Sequence, residues 1–446
     1  MPKFKFIIKR SGAKVSFKKE RIANAIYRAA VSVGGRDKET ANKLAKEVLK
    51  NLEQKLPGDH IPHIEEIQDC VEKALIKNGH TQVAKAFILY RNENEKKREE
   101  KALKASAPSE NIPWSKLWKI LDWTVDHDLH TIEAINKHIR NGRFPHVVHE
   151  CEELYQEDIG MAAKMIAERS ENLKMVFVSG PSSSGKTTTT TKLEEHLNKI
   201  GLKFKAFGVD NYFFDLSMHP KDEYGDYDFE TPQALDIPLI NEHIFQLCEG
   251  KEVQIPFYDF KSGTRHLNRT KMKLEPNEIL LIDSLHGLYP PMSESISDNQ
   301  KFKIYIESLM QVKDNNGKYI RWSDIRLMRR MLRDASHRAY KPQQTLEHWH
   351  YVRASEMRHI IPNQSRADYV ISSGMPYEIA LYKAKLFNEF KAWKDSYKDN
   401  PERQDANLRA QRTYSFLNQI ESVSDDSPVP EDSVLREFIG GSIFEY

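Results

Sequence analysis

Cysteine is scarce in this chain. Its 446 residues hold three, Cys70, Cys151 and Cys248, and none falls in a C-x-x-C spacing. That excludes a disulfide framework and a cysteine zinc site, and it points to a reducing compartment. Long apolar runs are also missing. None approaches the ~18 residues a membrane-crossing helix needs, and the opening MPKFKFIIKRSG lacks the apolar stretch of a secretory leader. Charge of one sign is absent too, since 67 Lys and Arg against 65 Asp and Glu leave a formal net charge of +2. Such a balance gives no electrostatic case for a nucleic-acid or anionic-membrane partner. No repeat suggests a solenoid. The expectation is a cytoplasmic globular chain of roughly two to four compact units.

Against these absences one stretch stands out, Lys174–Thr191, KMVFVSGPSSSGKTTTTT. A short apolar strand, Met175–Val178, runs into Gly180-Pro-Ser182-Ser183-Ser184-Gly185-Lys186-Thr187-Thr188 and then into the helical segment KLEEHLNKI. This is the G-x-x-x-x-G-K-[ST] phosphate-binding pattern in its strand–loop–helix context. The glycines let backbone N–H groups turn inward around a polyphosphate, and the helix start adds partial positive charge. Lys186 is placed to reach the phosphates and Thr187 to hold Mg²⁺. Gly180, Ser182, Ser183, Ser184, Gly185, Lys186, Thr187 and Thr188 are therefore the candidate nucleotide contacts.

From Lys174 to about Ser373 strands and helices alternate, with strands expected at Met175–Val178, Phe204–Val209, Ile279–Ile282, Phe302–Ile306 and Tyr369–Ser372. Alternation of this kind predicts an α/β unit, a parallel sheet with helices on both faces and ligands at the strands' carboxyl ends. Two acids stand at such ends. Asp210 is the candidate base and Asp283 the candidate metal ligand beside Thr187. Downstream, Arg326, Arg329, Arg330 and Arg333 recur at helical spacing and read as an arginine lid over phosphates. Trp114, Trp118 and Trp123 read as one packed helical face. His127, His130, His146 and His149 read as surface or packed residues rather than metal ligands.

Together these residues resemble the uridine kinase/phosphoribulokinase group of phosphate-loop kinases over roughly 135–373. GPSSSGKTT, VDNYF, FETPQALD, IPFYDFKSGTR, DSLHGL and DIRLMRRMLRD occur in the group's order, and the tail LREFIGGS resembles the ending of longer bacterial uridine kinase homologues. The resemblance implies ATP and Mg²⁺ as cofactors, with Asp210, Lys186, Arg330 and Arg333 catalytic. It implies Glu230, Tyr258, Arg265 and Arg338 on the acceptor side. Asp283 stands where the group usually has Glu. Gly263 falls where pyrimidine-specific members place a base-reading histidine, and Arg338-Ala-Tyr340 replaces Arg-Gly-Arg.

The first unit resembles an ATP-cone through Ile8-Lys9-Arg10-Ser-Gly12, Val15-Ser-Phe17, Glu20-Arg21-Ile22, Ile64–Glu72 and AKAFILYR. That resemblance implies a regulatory nucleotide, ATP or dATP, at Lys9, Arg10, Gly12 and Arg21. The expected organisation is a cone over 1–98, a linker and helical connector over 99–172, a kinase unit over 173–395 and a C-terminal helix and tail over 396–446. The expected activity is transfer of the γ-phosphate to a nucleoside 5′-hydroxyl in a homo-oligomer regulated at the cone. A sugar or sugar phosphate is the alternative acceptor, and a regulatory or assembly protein with weak catalysis is the second alternative.

Overall fold

The computed structural model describes residues 4–8, 14–56, 61–91, 112–220, 227, 230–337, 340–398 and 403–444. It divides into two units, one of Met1–Ser109 with Phe214–Met218, the other of Glu110–Phe213 with His219–Tyr446.

In the first unit β1 (Phe6–Ile8) pairs antiparallel with β2 (Lys14–Ser16), Ile7 opposite Val15. Helices α1 (Glu20–Val31), α2 (Lys38–Lys55) and α3 (Ile64–Lys77) follow, and α4 is described over 81–91. Asp37 caps α2 by accepting from the backbone N–H of Glu39 and Thr40, which satisfies donors the first turn leaves open. The apolar stripes of the helices meet in a core built on Ile26, Val48, Leu52 and Leu75. Phe214 and Met218 belong to that same core, although they lie far away in sequence. Asn24 donates to the Ser217 carbonyl, and Lys38 pairs with Asp215 at 3.1 Å.

The second unit is built on a five-stranded parallel sheet in the order β4-β7-β3-β8-β9. Its strands are β3 (Met175–Ser179), β4 (Lys203–Ala206), β7 (Glu278–Ser284), β8 (Lys301–Glu307) and β9 (Tyr369–Ser372). Strand β3 is central and apolar from Met175 to Val178 because both its faces are covered. Val176 and Val178 enter one core, Met175 and Phe177 the other. Burial of each such side chain is worth about 1.5–3 kcal/mol. The helices are α5 (Trp114–Asp126), α6 (Ile132–Arg140), α7 (Phe144–Arg169), α8 (Lys186–Lys199), α9 (Ile237–Cys248), α10 (Trp322–His337), α11 (Pro342–Ser355), α12 (Glu378–Ser396), α13 (Gln404–Leu417) and the single turn α14 (Arg436–Ile439). Residues of α6, α7, α13 and the tail share one core with the sheet, so the expected connector and tail are built into the second unit.

Three expectations need correction. Trp114 and Trp118 are 65% and 68% exposed, so the tryptophans do not form one packed face; only Trp123 packs on the core. The antiparallel hairpin of β5 (Val253–Asp259) and β6 (Thr264–Met272) has no counterpart among the expected strands. Strand β4 ends at Ala206, and Asp210 stands on a separate 3₁₀ turn, Val209–Tyr212.

Candidate active site

The phosphate loop leaves the carboxyl end of the central strand, and its shape depends on two glycines. A Cβ on Gly180 would lie 2.2 Å from the Ile306 carbonyl oxygen, and Gly185 has φ +82 at the cap of α8. Ser183 adopts φ +59, a left-handed conformation that costs a non-glycine residue about 1 kcal/mol or more. The hydroxyls of Ser183 and Ser184 are buried with no hydrogen-bond partner among the described residues. Orphaned donors around a tight backbone loop at a helix start are what a bound polyphosphate satisfies.

Lys186 and Thr187 open α8. The Lys186 ammonium donates to the Pro181 carbonyl at 3.2 Å; burial lowers its pKa, and the Asp283 carboxylate pulls the other way. Strand β7 places Asp283 beside Val178 of β3, and Thr187 Oγ1 donates to Asp283 Oδ2 at 3.5 Å. Burial pushes the Asp283 carboxyl up to about 6 against the pull of Lys186, and the negative charges of Asp210 and Glu437 add to the rise. The two expected carboxylates are therefore electrostatic neighbours of one another, and Asp283 is also a neighbour of the loop lysine.

Asp210 is exposed, and the turn that carries it is anchored from beneath. Tyr212 is fully buried, stacks on Phe207 at 5.2 Å, and shares a 2.7 Å hydrogen bond with His243 Nδ1. Tyr212 also accepts at its carbonyl from the Asp236 N–H at 2.9 Å.

The arginine helix divides. Arg326 and Arg329 are 1% and 0% exposed and do not cover phosphates, which corrects the expectation of a four-arginine lid. Arg326 pairs with Glu307 and Glu356 and donates to the Ser182 carbonyl at 3.0 Å. Arg329 pairs with Glu378 at 2.8 Å and donates to Ser373, whose hydroxyl in turn donates to the Ser184 carbonyl at 2.6 Å. Both arginines brace the loop from behind. Arg330 and Arg333 are the ones left at the site. Arg330 Nη1 reaches Ser182 Oγ at 3.0 Å and Glu230 Oε1 at 3.1 Å, and Arg333 Nη1 reaches Glu437 Oε1 at 3.2 Å.

On the acceptor side, Tyr258 sits in an aromatic cluster, 5.5 Å from Phe213, 4.9 Å from Phe260 and stacked on His219 at 6.2 Å. Its cross-strand partner Arg265 is held by the buried Asp236 at 3.0 Å. Gly263 turns the β5–β6 hairpin with φ +65. Tyr340 lines a cavity of about 140 Å³ with Arg330, Thr345, His348 and Trp349. His286, 3% exposed, is kept neutral, its pKa pushed down to about 3 by burial. Arg338, Lys9, Arg10 and Gly12 lie outside the described residues, whereas Arg21 is half-buried on α1.

Sequence reasoning missed Glu307, Glu356, Glu378, Ser373 and Glu437. Each is a buried polar partner of an arginine on α10, and a row of arginines with few local acids was the one available signal of such distant partners.

Asp283 has a stability consequence. Its unfolded pKa is near 3.9 and its folded value about 6, so the folded chain must hold a proton between those limits or carry a buried charge above them. The cost is therefore absent below the lower limit and full above about pH 6. A rise of this size corresponds to at most ~3 kcal/mol. Asp283→Asn is expected to raise the melting temperature at pH 7.5 without nucleotide, the gain shrinking as the pH is lowered toward 5. A variant that melts at or below the wild-type temperature at pH 7.5 would remove the account of a strained carboxylate.

Comparison with known proteins finds a likeness in each unit. Residues 5–96 match the ATP cone domain, and residues 175–380 match the phosphoribulokinase/uridine kinase family. A uridine kinase of Deinococcus deserti is 27% identical over 208 residues, 46% of this chain and 91% of the relative. A uridine kinase of Borrelia duttonii is 29% identical over 217 residues, 48% of this chain and 94% of the relative. Among the described residues no helix is long and apolar enough to cross a membrane, and no cluster of three or more His, Cys, Asp or Glu could hold a metal.

Proposed function

We propose that the chain joins an ATP cone domain to a phosphotransferase domain of the phosphoribulokinase/uridine kinase family, and that it phosphorylates the 5′-hydroxyl of a nucleoside, uridine or cytidine first. The observation that carries the kinase reading is the convergence of Lys186, Asp283 and Asp210 at the phosphate loop, with Arg330 fixed to Ser182 of that loop. The loop fits a nucleoside triphosphate, because the buried hydroxyls of Ser183 and Ser184 have no partner among the described residues and stand at the start of α8. Thr187 and Asp283 are the residues that would hold Mg²⁺. When bound, Mg·ATP supplies the phosphoryl group.

The chain's own part is positioning and proton control. Asp210 takes or orients the acceptor hydroxyl proton. Lys186 and the two site arginines face the charge that develops on the transferring group. Glu230 holds Arg330 in place, and its backbone carbonyl accepts from Ser355 at 2.5 Å.

The nucleoside is supported by the aromatic cluster of Phe213, Tyr258, Phe260 and His219, whose exposed ring, Phe260, is suited to stacking on the flat face of a base. A sugar or sugar phosphate is the rival acceptor, in line with the cavity beside Tyr340, where Arg330, Asp334 and His348 supply polar groups.

The cone is proposed to bind ATP or dATP and to set activity through the oligomeric state of a cytoplasmic enzyme. Support comes from chain continuity: four residues after Asp210 the chain enters Phe214–Met218, which is built into the first unit's core. The test is an ADP-release screen over nucleosides, sugars and sugar phosphates, repeated with dATP. Turnover of uridine or cytidine, altered by dATP, is expected. Turnover of sugars alone would replace the acceptor, and indifference to dATP would remove the regulatory reading.

A further inference from the structure

The tail after α13 returns to the phosphate loop and packs there. Leu435 and Phe438 are 0% and 1% exposed within the main core. Asp432 pairs with Lys192 of α8, and Ser433 donates to Glu152 Oε1 at 2.5 Å. Val434 leaves so little space that a Cβ on Gly185 would come within 2.3 Å of its Cγ2. Phe438 lies under the guanidinium groups of Arg329 and Arg333 at 5.1 and 6.0 Å.

At the centre of this segment stands Glu437, 3% exposed. One carboxylate oxygen accepts from Thr188 Oγ1 at 3.0 Å, in the first turn of the helix that follows the loop. The other accepts from Arg333 Nη1 at 3.2 Å, on the arginine helix. A single buried carboxylate thus ties the two helices that flank the loop. Arg333 and Glu437 both act on the Lys186 ammonium, so the pair lies at the phosphate end of the site.

We infer that Glu437 is a positioning residue: it acts through Arg333, presenting that guanidinium to the terminal phosphate of the bound nucleotide. The inference rests on the kinase reading of the loop, but not on which acceptor is used. Unpaired, a long flexible arginine loses rotamer freedom on meeting a phosphate; paired with a buried carboxylate and laid on an aromatic ring, it is already ordered.

The test uses the full chain and needs no acceptor. Calorimetric titration with Mg·AMP-PNP and with Mg·ADP compares wild type, Glu437→Gln, Arg333→Met and the double variant. Glu437→Gln keeps the shape and, with its oxygen toward Thr188, the bond from that hydroxyl, while its amide NH2 faces the Arg333 donor, so the charge and the Arg333 bond are lost together. Its expected effect is a five- to tenfold loss of AMP-PNP affinity with less than a twofold change for ADP. In the Arg333→Met background the same substitution is expected to change AMP-PNP affinity less than twofold, since residues acting as a unit are not additive. Glu437→Asp keeps the charge but is one methylene too short to span both partners, so it is expected to fall between Gln and wild type; it also serves if the Gln variant melts early. Equal losses in both backgrounds, equal losses for ADP, or tighter AMP-PNP binding would each overturn the inference. The last of these would make Glu437 a brake on anion binding.

Discussion

Replacing Asp210 by Asn is expected to lower kcat by ~10²–10⁴-fold, the range a positioned general base supplies. The Michaelis constant for Mg·ATP is expected to stay within about threefold, because the Asp210 charge opposes, rather than supports, ionisation of the donor-side Asp283. The electrostatics support that separation. Asp210 is one of the charges that raise the Asp283 pKa, so its removal leaves Asp283 more readily ionised and metal binding no weaker. Asn is close in shape to Asp, and the turn beneath it is anchored through Tyr212, Phe207 and His243. A variant that keeps more than a tenth of wild-type turnover would transfer the base role to another group.

The second large effect is on stability. Glu378→Ala is expected to cost ~3–5 kcal/mol, the usual penalty for removing one partner of a buried ion pair. Glu378 is 0% exposed and accepts from Arg329 Nε at 2.8 Å, from the Met375 N–H at 2.9 Å and from Tyr382 at 2.7 Å. Its loss strands a guanidinium in the core, where burial alone disfavours the charge that Glu378 stabilises. It also loosens the Arg329–Ser373–Ser184 relay behind the phosphate loop, so nucleotide affinity should fall together with stability. The double change Arg329→Met with Glu378→Leu removes both charges and is expected to recover most of the loss. Equilibrium urea unfolding of the second unit measures both. A single variant within 1 kcal/mol of wild type would show that the pair is dispensable.

Much of the donor side was legible because its signals are local. A glycine-bounded loop between an apolar strand and a helix needs only consecutive residues, and Asp283 follows directly from the strand beside it. The parallel sheet was legible for the same reason, since strands buried on both faces read as short continuous apolar runs. The β5–β6 hairpin was not. Thr264–Met272 is mostly solvent-exposed and alternates no apolar face toward a core, so periodicity carries no strand signal there. Spacing along a helix put Arg326 and Arg329 with Arg330 and Arg333 but could not show which turn faces the core. That depends on Glu307, Glu356 and Glu378, which stand on other elements. The same limit hid Glu437, whose partners lie about 100 and 250 residues away. The exposed Trp114 and Trp118 show the converse, that aromatic spacing reports a shared face without saying that anything covers it.

The most direct test of the central claim is identification of the phosphorylated product. Wild-type chain incubated with Mg·ATP and uridine or cytidine, followed by ³¹P NMR and mass spectrometry, is expected to yield one nucleoside 5′-monophosphate per ADP. Asp210→Asn is expected to yield neither above background. ADP appearing with inorganic phosphate alone, or no ADP with any hydroxyl compound offered, would contradict a kinase that uses Lys186, Asp283 and Asp210 to place a phosphoryl group on an alcohol.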